Sequence, residues 1–192
     1  MSVRRLVLAS GSPRRRELLT AMGVTFDVLS SDVDETVDVF DGPADFALQL
    51  AHRKARAVAE WVGDALVIGG DTVVELDGRI FGKPGDADEA FEMIRRLSGR
   101  THRVVTGLAV LDAATGEHRD GASTSAVTMR PLGTEEIRAY VASGEPFDKA
   151  GAYAIQGLGG RLVADVDGDL DNVIGLPTNT LRRLLAAFGV SC

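Results

Sequence analysis

Short apolar runs alternate with amphipathic stretches along the chain, and this alternation restricts the fold more than any other feature. The run LVL at 6–8 predicts a buried strand, and residues 17–22 predict a helix after it. Residues 43–61 have apolar side chains at helical spacing, and residues 65–76 form a second apolar, strand-like run. Because strands that alternate with helices form a sheet covered by helices, we expect one α/β domain over residues 1–192, with a mixed β-sheet flanked by helices.

Local signals place several element boundaries. Ser12 before Pro13 predicts the N-cap of the first helix, and Thr134 predicts the N-cap of a later one. Asp77-Gly78 predicts a hairpin turn. Three further stretches are expected to consist of strands and turns: 102–132, 150–157 and 162–177.

Composition excludes several classes of protein. The chain has 192 residues, 45% of them hydrophobic, and a formal net charge of −7. Because an acidic surface repels polyanions, we expect no binding of nucleic acid or of a membrane surface. No apolar run reaches the length of about 18 residues that a transmembrane helix needs, and the N-terminal run is too short for a signal peptide. The single cysteine, Cys192, fits a reducing cytoplasm.

The stretch ASGSPRRRE combines hydroxyls and arginines at a strand-to-helix corner. The first N–H groups of a helix lack intrahelical partners, and the helix dipole adds positive charge there. Ser10, Ser12, and Arg14 or Arg15 therefore make a phosphate cradle at this corner, with Gly11 allowing close approach to the backbone. The competing interpretation is a serine-capped helix with solvated arginines.

Acidic residues occur at two places that suit a catalytic site. Asp71 follows Gly69 and Gly70 inside an apolar run, where a buried charge is costly unless it is paired, so its presence there favours a functional role. It can hold a magnesium ion or activate water, and the alternative is an aspartate that accepts from backbone amides. Glu35 lies in SSDVDETV, an acidic stretch that is typical of cation sites and equally of solvated loops.

Lysine is rare in this arginine-rich chain. Of the 21 basic residues only three are lysines: Lys54, Lys83 and Lys149. Lys54 and Lys83 are candidates to complete an anion pocket, although each taken alone is better explained as a surface charge. The histidines at 52, 102 and 118 lack metal-ligand spacing, and we expect His102 to be buried and hydrogen-bonded. Acids, bases and an anion cradle together indicate metal-assisted hydrolysis of a phosphoanhydride.

Eight motifs extend over nearly the whole chain: LASGSPRRRELL, VDET, LAHRKA, GGDTVV, GKP, SGRTHRVVTG, GEPFDKAGAYAIQG and NVIGLP. In this order they resemble the Maf-type nucleotide pyrophosphatases. The resemblance implies an elongated α/β fold related to inosine triphosphatases, with a cleft between two lobes. It also implies hydrolysis of a nucleoside triphosphate to the monophosphate and pyrophosphate, with Mg²⁺ or Mn²⁺ as the divalent cofactor.

The resemblance also implies roles for individual residues. Asp71 would accept the proton of the attacking water, and Glu35 together with Asp71 would hold the metal. The triphosphate would be contacted by four residues: Ser10, Arg15, Lys54 and Lys83. Lys149 would support the cleft wall, without an assigned contact.

Three positions resemble the dTTP/UTP branch of the family rather than the branch that acts on 7-methyl-GTP: Arg14, Thr72 and Gln156. A glutamine amide can both donate to and accept from the edge of thymine or uracil, whereas a glutamate suits a methylated guanine. We therefore expect hydrolysis of dTTP, UTP and modified pyrimidine triphosphates.

Two other functions stay open at this point. One is a pyrophosphatase for 7-methyl-GTP or another purine triphosphate. The other is a non-catalytic nucleotide-binding regulator of cell division, with a partner protein. The resemblance further suggests a homodimer, although the sequence shows no apolar seam that requires one.

Overall fold

Seven strands form one mixed β-sheet in the computed structural model, which describes residues 4–30 and 32–192. In chain order they are β1 (Leu6–Leu8), β2 (Asp27–Val28), β3 (Leu66–Leu76), β4 (Arg79–Phe81), β5 (Thr101–Asp112), β6 (His118–Met129) and β7 (Val163–Asp167). Their order in the sheet is β2-β1-β3-β5-β6-β7, and β4 pairs with β3. β1 runs parallel to both β2 and β3, whereas β3 with β4 and β6 with β7 are antiparallel.

Six α-helices lie among the described residues. They are α1 (Pro13–Ala21), α2 (Gly42–Ala59), α3 (Ala87–Leu97), α4 (Thr134–Ala142), α5 (Leu170–Ile174) and α6 (Thr178–Ala186). Short 3-10 helices cover Glu145–Asp148, Ala150–Ala152 and Gly157–Leu162. Within the described ranges, every helix is too short or too polar to cross a bilayer. The mixed sheet with flanking helices confirms the predicted α/β class.

The chain divides into two compact units, and three strands contribute residues to both. Unit 1 consists of Met1–Asp71, Thr106–Ser123 and Gly175–Cys192, of which residues 1–3 and 31 lie outside the described part. Unit 2 consists of Thr72–Val105 and Thr124–Ile174. Each unit has a hydrophobic core of its own.

Helices cover both faces of the strands in unit 1. Side chains alternate along a strand, so Leu8 and Val7 of β1 point to opposite faces. Leu8 packs in one cluster with Leu19 of α1 and Leu181 of α6. Val7 packs in another with Ala51 of α2. The short apolar runs found in the sequence are therefore strands that are buried on both sides.

Helix α2 packs directly on the backbone of the sheet. A Cβ atom on Gly69 would overlap the carbonyl oxygen of Ala51 and lie 2.9 Å from the backbone nitrogen of Ala55. A Cβ atom on Gly107 of β5 would lie 2.6 Å from backbone atoms of Ala47 and Leu48. Glycine is required at both strand positions because no side chain fits between helix and sheet.

A buried histidine lies in unit 2, as the sequence predicts. His102 is 2% exposed, and its Nε2 lies 2.6 Å from the hydroxyl of Tyr153. Burial lowers the pKa of His102 to about 4, because a charged imidazole loses its solvation there. His102 is therefore neutral at physiological pH and belongs to the core.

Most of the local predictions are confirmed, and three are wrong. Ser12 is the N-cap of α1, and its side chain accepts from the backbone nitrogen of Arg15. Asp77 and Gly78 both have positive φ and connect β3 to β4. Thr134 is not an N-cap, because Gly133 takes that position and Thr134 begins the helix.

The second wrong prediction concerns the last third of the chain. Residues 150–157 were expected to be strand and turn, yet they contain 3-10 turns around Gly151, which has a φ of 68°. A Cβ atom on Gly151 would lie 2.8 Å from the side chain of Val74. Residues 170–174 form the short helix α5 rather than a turn. The helix at 170–174 is the third wrong prediction. At Gly151 tertiary packing, not apolar periodicity, determines the backbone.

The contacts of α2 with the glycines of the sheet predict that an added methyl group destabilises the fold at Gly69 but not at Gly63. We expect Gly69→Ala to lower the free energy of unfolding by about 3 kcal/mol, at the upper end of typical overpacking costs, because backbone atoms must move apart. Gly63→Ala is the matched control, since its Cβ would meet no atom within 4 Å. Urea denaturation followed by circular dichroism measures both. Equal stability of the two variants would contradict the close packing.

Candidate functional site

The N-terminal turn of α1 gathers hydroxyl and guanidinium groups. Ser10 accepts a hydrogen bond from the backbone nitrogen of Ser12 at 3.2 Å. The same Ser10 hydroxyl oxygen accepts from Nη1 of Arg15, also at 3.2 Å. Pro13 begins the helix, which suits a first position that needs no N–H donor. This corner has the composition and charge of an anion cradle.

Arg15 is fixed by a contact from the far end of the chain. Its Nε donates to the carbonyl oxygen of Gly175 at 2.8 Å. Burial lowers the pKa of Arg15, while the negative charges of Asp71 and Glu35 oppose that change. Sequence reasoning selected Arg15 but missed Gly175, although NVIGLP was among the motifs. The guanidinium therefore lies in a defined orientation near the two acids.

Lys54 joins the two candidate acids. Its Nζ lies 2.6 Å from Oδ1 of Asp71 and 2.8 Å from Oε1 of Glu35. The side chains of Lys54 and Asp71 are 12% and 11% exposed, and that of Glu35 is 49% exposed. Lys54 reaches Asp71 because α2 contacts β3 at Gly69, two residues before the acid. An ammonium between two carboxylates compensates charges that would otherwise be costly to bury.

The loop that carries Glu35 is attached to α2 by Arg53. The guanidinium of Arg53 donates to the carbonyl oxygens of Asp34 and Thr36, at 3.1 and 2.5 Å. Asp34 also accepts from the backbone nitrogen of Thr36 at 2.8 Å, and this bond lowers the pKa of the Asp34 carboxyl group. Arg53 thus holds the residues on both sides of Glu35. Sequence reasoning missed Arg53, because in the sequence it differs from the other exposed arginines only in its position beside Lys54.

The donor set of Glu35 and Asp71 fits a divalent cation. Both carboxylates converge on a single cationic group, the ammonium of Lys54. Carboxylate oxygens are ligands that Mg²⁺ and Mn²⁺ accept. The structure thus brings together five predicted site residues of unit 1: Ser10, Arg15, Glu35, Lys54 and Asp71. Arg14 is the half-buried neighbour of Arg15 in the same turn.

Three predicted site residues belong to unit 2. Thr72 follows Asp71 in β3 and is half-buried, and Lys83 is exposed in the loop after β4. Gln156 is exposed and precedes the 3-10 helix Gly157–Leu162. Their roles toward a nucleotide stay predictions from the resemblance.

Glu145 anchors the segment that follows Gln156. Its carboxylate accepts from the backbone nitrogens of Leu158 and Gly159, at 2.9 and 2.8 Å. Burial raises the pKa of Glu145, but these hydrogen bonds outweigh it, so that its pKa lies below the ordinary value. Lys149 donates to the carbonyl oxygen of Glu145 at 2.6 Å. Lys149 is therefore a structural residue of this turn, and Glu145 is an anchor that the sequence did not reveal.

Comparison with known proteins agrees with the motifs. The model of the Maf-like protein family matches residues 5–188. The chain belongs to this family. The matched segment includes every residue of the cluster around Lys54, and the family predicted from the motifs is confirmed.

Relatives of known name are similar over their full length. The chain is 52% identical over 186 residues to a dTTP/UTP pyrophosphatase of Moorella thermoacetica, covering 97% of this chain and 96% of that protein. It is 48% identical over 187 residues to a dTTP/UTP pyrophosphatase of Pelotomaculum thermopropionicum, covering 97% and 98%. The Ham1 protein of Staphylococcus aureus has a TM-score of 0.54 at 16% identity, covering 96% and 97%, and this likeness concerns the fold alone.

The contacts of Arg15 predict that lysine cannot replace it. Lysine lacks the planar fork that reaches Gly175 and Ser10 together. We expect Arg15→Lys to lower the free energy of unfolding by about 1.5–3 kcal/mol, the scale of one lost charged hydrogen bond. Arg16→Lys, an exposed neighbour, is the control and is expected to change stability little. Urea denaturation that gave the same midpoint for both variants would contradict the role of Arg15.

Proposed function

We propose that this member of the Maf-like family is a pyrophosphatase that hydrolyses dTTP and UTP, and modified pyrimidine triphosphates, to the monophosphate and pyrophosphate. The observation that carries the proposal is the Asp71–Lys54–Glu35 cluster, in which Asp71 and Lys54 are largely buried, beside the cradle of Ser10 and Arg15. Relatives that bear the name dTTP/UTP pyrophosphatase and share about half of the sequence over its full length support it. The acidic surface and the single cysteine support a cytoplasmic location.

Asp71 accepts the proton of the attacking water in this reaction. The water oxygen bonds to the α-phosphorus, the bond from that phosphorus to the bridging oxygen breaks, and pyrophosphate leaves with the bond electrons. A carboxylate suits this role because the proton it takes is later returned to solvent. The contact with Lys54 holds the Asp71 carboxylate in a fixed orientation before the substrate arrives.

The cradle of α1 binds the phosphates. Ser10 donates its hydroxyl proton, Arg15 presents its guanidinium, and the first N–H groups of α1 contribute the positive end of the helix dipole. Together they stabilise the charge that develops on the leaving pyrophosphate. Lys54 has a flexible four-carbon stem, so its ammonium can turn to phosphate oxygens while α2 stays in place.

A divalent cation completes the proposed chemistry. Glu35 and Asp71 would hold it, and Mg²⁺ is the first candidate with Mn²⁺ as the second. When bound, such an ion offsets the negative charge of the triphosphate. Lys54 contacts the same two carboxylates, so we infer that cation binding and the turning of Lys54 toward phosphate are linked.

The motif resemblance assigns base selection to Arg14, Thr72 and Gln156, and a further phosphate contact to Lys83. A neutral amide at Gln156 can donate to O4 and accept from N3–H of thymine or uracil. The anchor at Glu145 fixes the backbone that follows Gln156 and so restricts how far this amide can move.

Removing the proton acceptor should abolish turnover without unfolding the chain. We expect Asp71→Asn to lower kcat for dTTP by about 10³-fold or more, because an amide cannot accept the proton. Asp64→Asn, an exposed aspartate of the same unit, is the control and should retain activity. Pyrophosphate release with Mg²⁺ and far-UV circular dichroism are measured in parallel. A folded Asp71→Asn variant with normal turnover would refute the assignment of the base.

Changing the amide at 156 should change the preferred base. We expect the wild type to hydrolyse dTTP and UTP in a panel that also contains CTP, GTP and 7-methyl-GTP. Gln156→Glu should lower kcat/KM for dTTP by at least about tenfold, because a carboxylate cannot donate a hydrogen bond. Unchanged selectivity in this variant would mean that Gln156 does not contact the base. Tight nucleotide binding by the wild type without any pyrophosphate release would instead favour the regulator.

A further inference from the structure

Two histidines and an aspartate meet on the surface of unit 1, away from the residues used so far. One possible ligand atom each of His52, His118 and Asp120 lies within 4.8 Å of the others. Nε2 of His52 is 2.6 Å from Oδ2 of Asp120, and the two imidazole rings are 5.0 Å apart. We propose that these three residues bind Zn²⁺ and thereby fasten α2 to β6.

The strand geometry of β6 presents two of the ligands together. Side chains two residues apart in a strand point to the same face, so His118 and Asp120 lie side by side. Arg119 points to the other face, where its guanidinium lies 5.8 Å from the ring centre of Phe188 and pairs with Glu117. The one positive charge next to the two ligands in sequence is therefore directed away from them.

Helix α2 supplies the third ligand. The contact of α2 with Gly107 brings the helix against β5, and β6 is the next strand of the sheet. His52 is one turn beyond Leu48 and reaches β6 at Asp120. Lys54 lies two residues further along α2, about 200° around the helix axis, and contacts Asp71 and Glu35. The cluster of His52, His118 and Asp120 (the histidine cluster) and the cluster of Asp71, Lys54 and Glu35 (the acid cluster) thus contact different sides of α2.

The ligand types select the ion. Two imidazole nitrogens and one carboxylate oxygen suit Zn²⁺, whereas Mg²⁺ prefers oxygen ligands alone. Three protein ligands leave the fourth tetrahedral position to water. Zinc–ligand bonds of about 2.0–2.1 Å place ligand atoms about 3.4 Å apart. In the present arrangement the ligand atoms lie within 4.8 Å of one another, and the exposed side chains of His118 and Asp120 have room to rotate toward that spacing.

A metal ion that binds the folded chain but not the unfolded chain should stabilise the folded state. The experiment uses the full-length, untagged chain with Cys192→Ser, because the exposed thiol of Cys192 is itself a zinc ligand. Zn²⁺ is titrated calorimetrically in excess Mg²⁺, and Tm is measured with and without Zn²⁺. We expect one equivalent to bind and Tm to rise by several degrees.

Matched variants separate this site from the acid cluster. His118→Gln and His52→Gln should each weaken Zn²⁺ binding by more than about tenfold, since even partners outside the ligand set change metal affinity by about 10–100-fold. Glu35→Gln should leave Zn²⁺ binding and the rise in Tm unchanged. The visible bands of bound Co²⁺ should be present in Glu35→Gln and absent in His118→Gln.

Three results would overturn the proposal. The first is that the Cys192→Ser chain binds no Zn²⁺. The second is that His118→Gln binds Zn²⁺ as tightly as that chain does, and the third is that Glu35→Gln no longer binds Zn²⁺. Because His118 is exposed, its substitution should not unfold the chain, and the Tm of the metal-free variant verifies this. Neither binding nor Tm depends on hydrolysis, so the test is independent of the proposed function.

Discussion

The contact between α2 and two glycines of the sheet determines where the charged residues of unit 1 lie. Gly69 and Gly107 leave no room for a side chain, so the helix backbone approaches the strands directly. At this distance the lysine of α2 meets the aspartate that follows Gly69 and Gly70. Any residue larger than glycine would separate helix and strand and open this ion pair. The packing of the fold and the chemistry of the site therefore depend on the same contact.

The cluster of Asp71, Lys54 and Glu35 and the first turn of α1 place basic groups close to acidic ones in a chain of net charge −7. Arg14 and Arg15 lie in the first turn of α1, where backbone N–H groups and the helix dipole favour negative charge. Arg15 donates to the carbonyl oxygen of Gly175, so its guanidinium has a defined orientation without any ligand. Charges that are fixed in advance cost less reorganisation during the reaction than mobile surface charges.

The sequence predicted what depends on local spacing. The N-cap at Ser12, the hairpin at Asp77-Gly78 and the buried strands follow from neighbours within a few residues, and the structure confirms them. Contacts between distant segments were not predictable in this way. His52 and Asp120 are 68 positions apart, and their lack of metal-ligand spacing in the sequence concealed the fact that helix and strand bring them together. The 3-10 turn at Gly151 was missed for the same reason, since the side chain of Val74 determines the space there.

The hydrogen bond from Arg15 to Gly175 joins positions 160 residues apart, and it affects the order in which the protein can mature. During synthesis the first helix leaves the ribosome long before its carbonyl acceptor exists. Unit 1 also includes Gly175–Cys192, so its core is incomplete until this segment has been synthesised. Closing so long a loop is entropically costly and slows folding. In a nascent chain the guanidinium of Arg15 therefore lacks this acceptor until Gly175 has been synthesised and the segment that follows it has packed on the sheet.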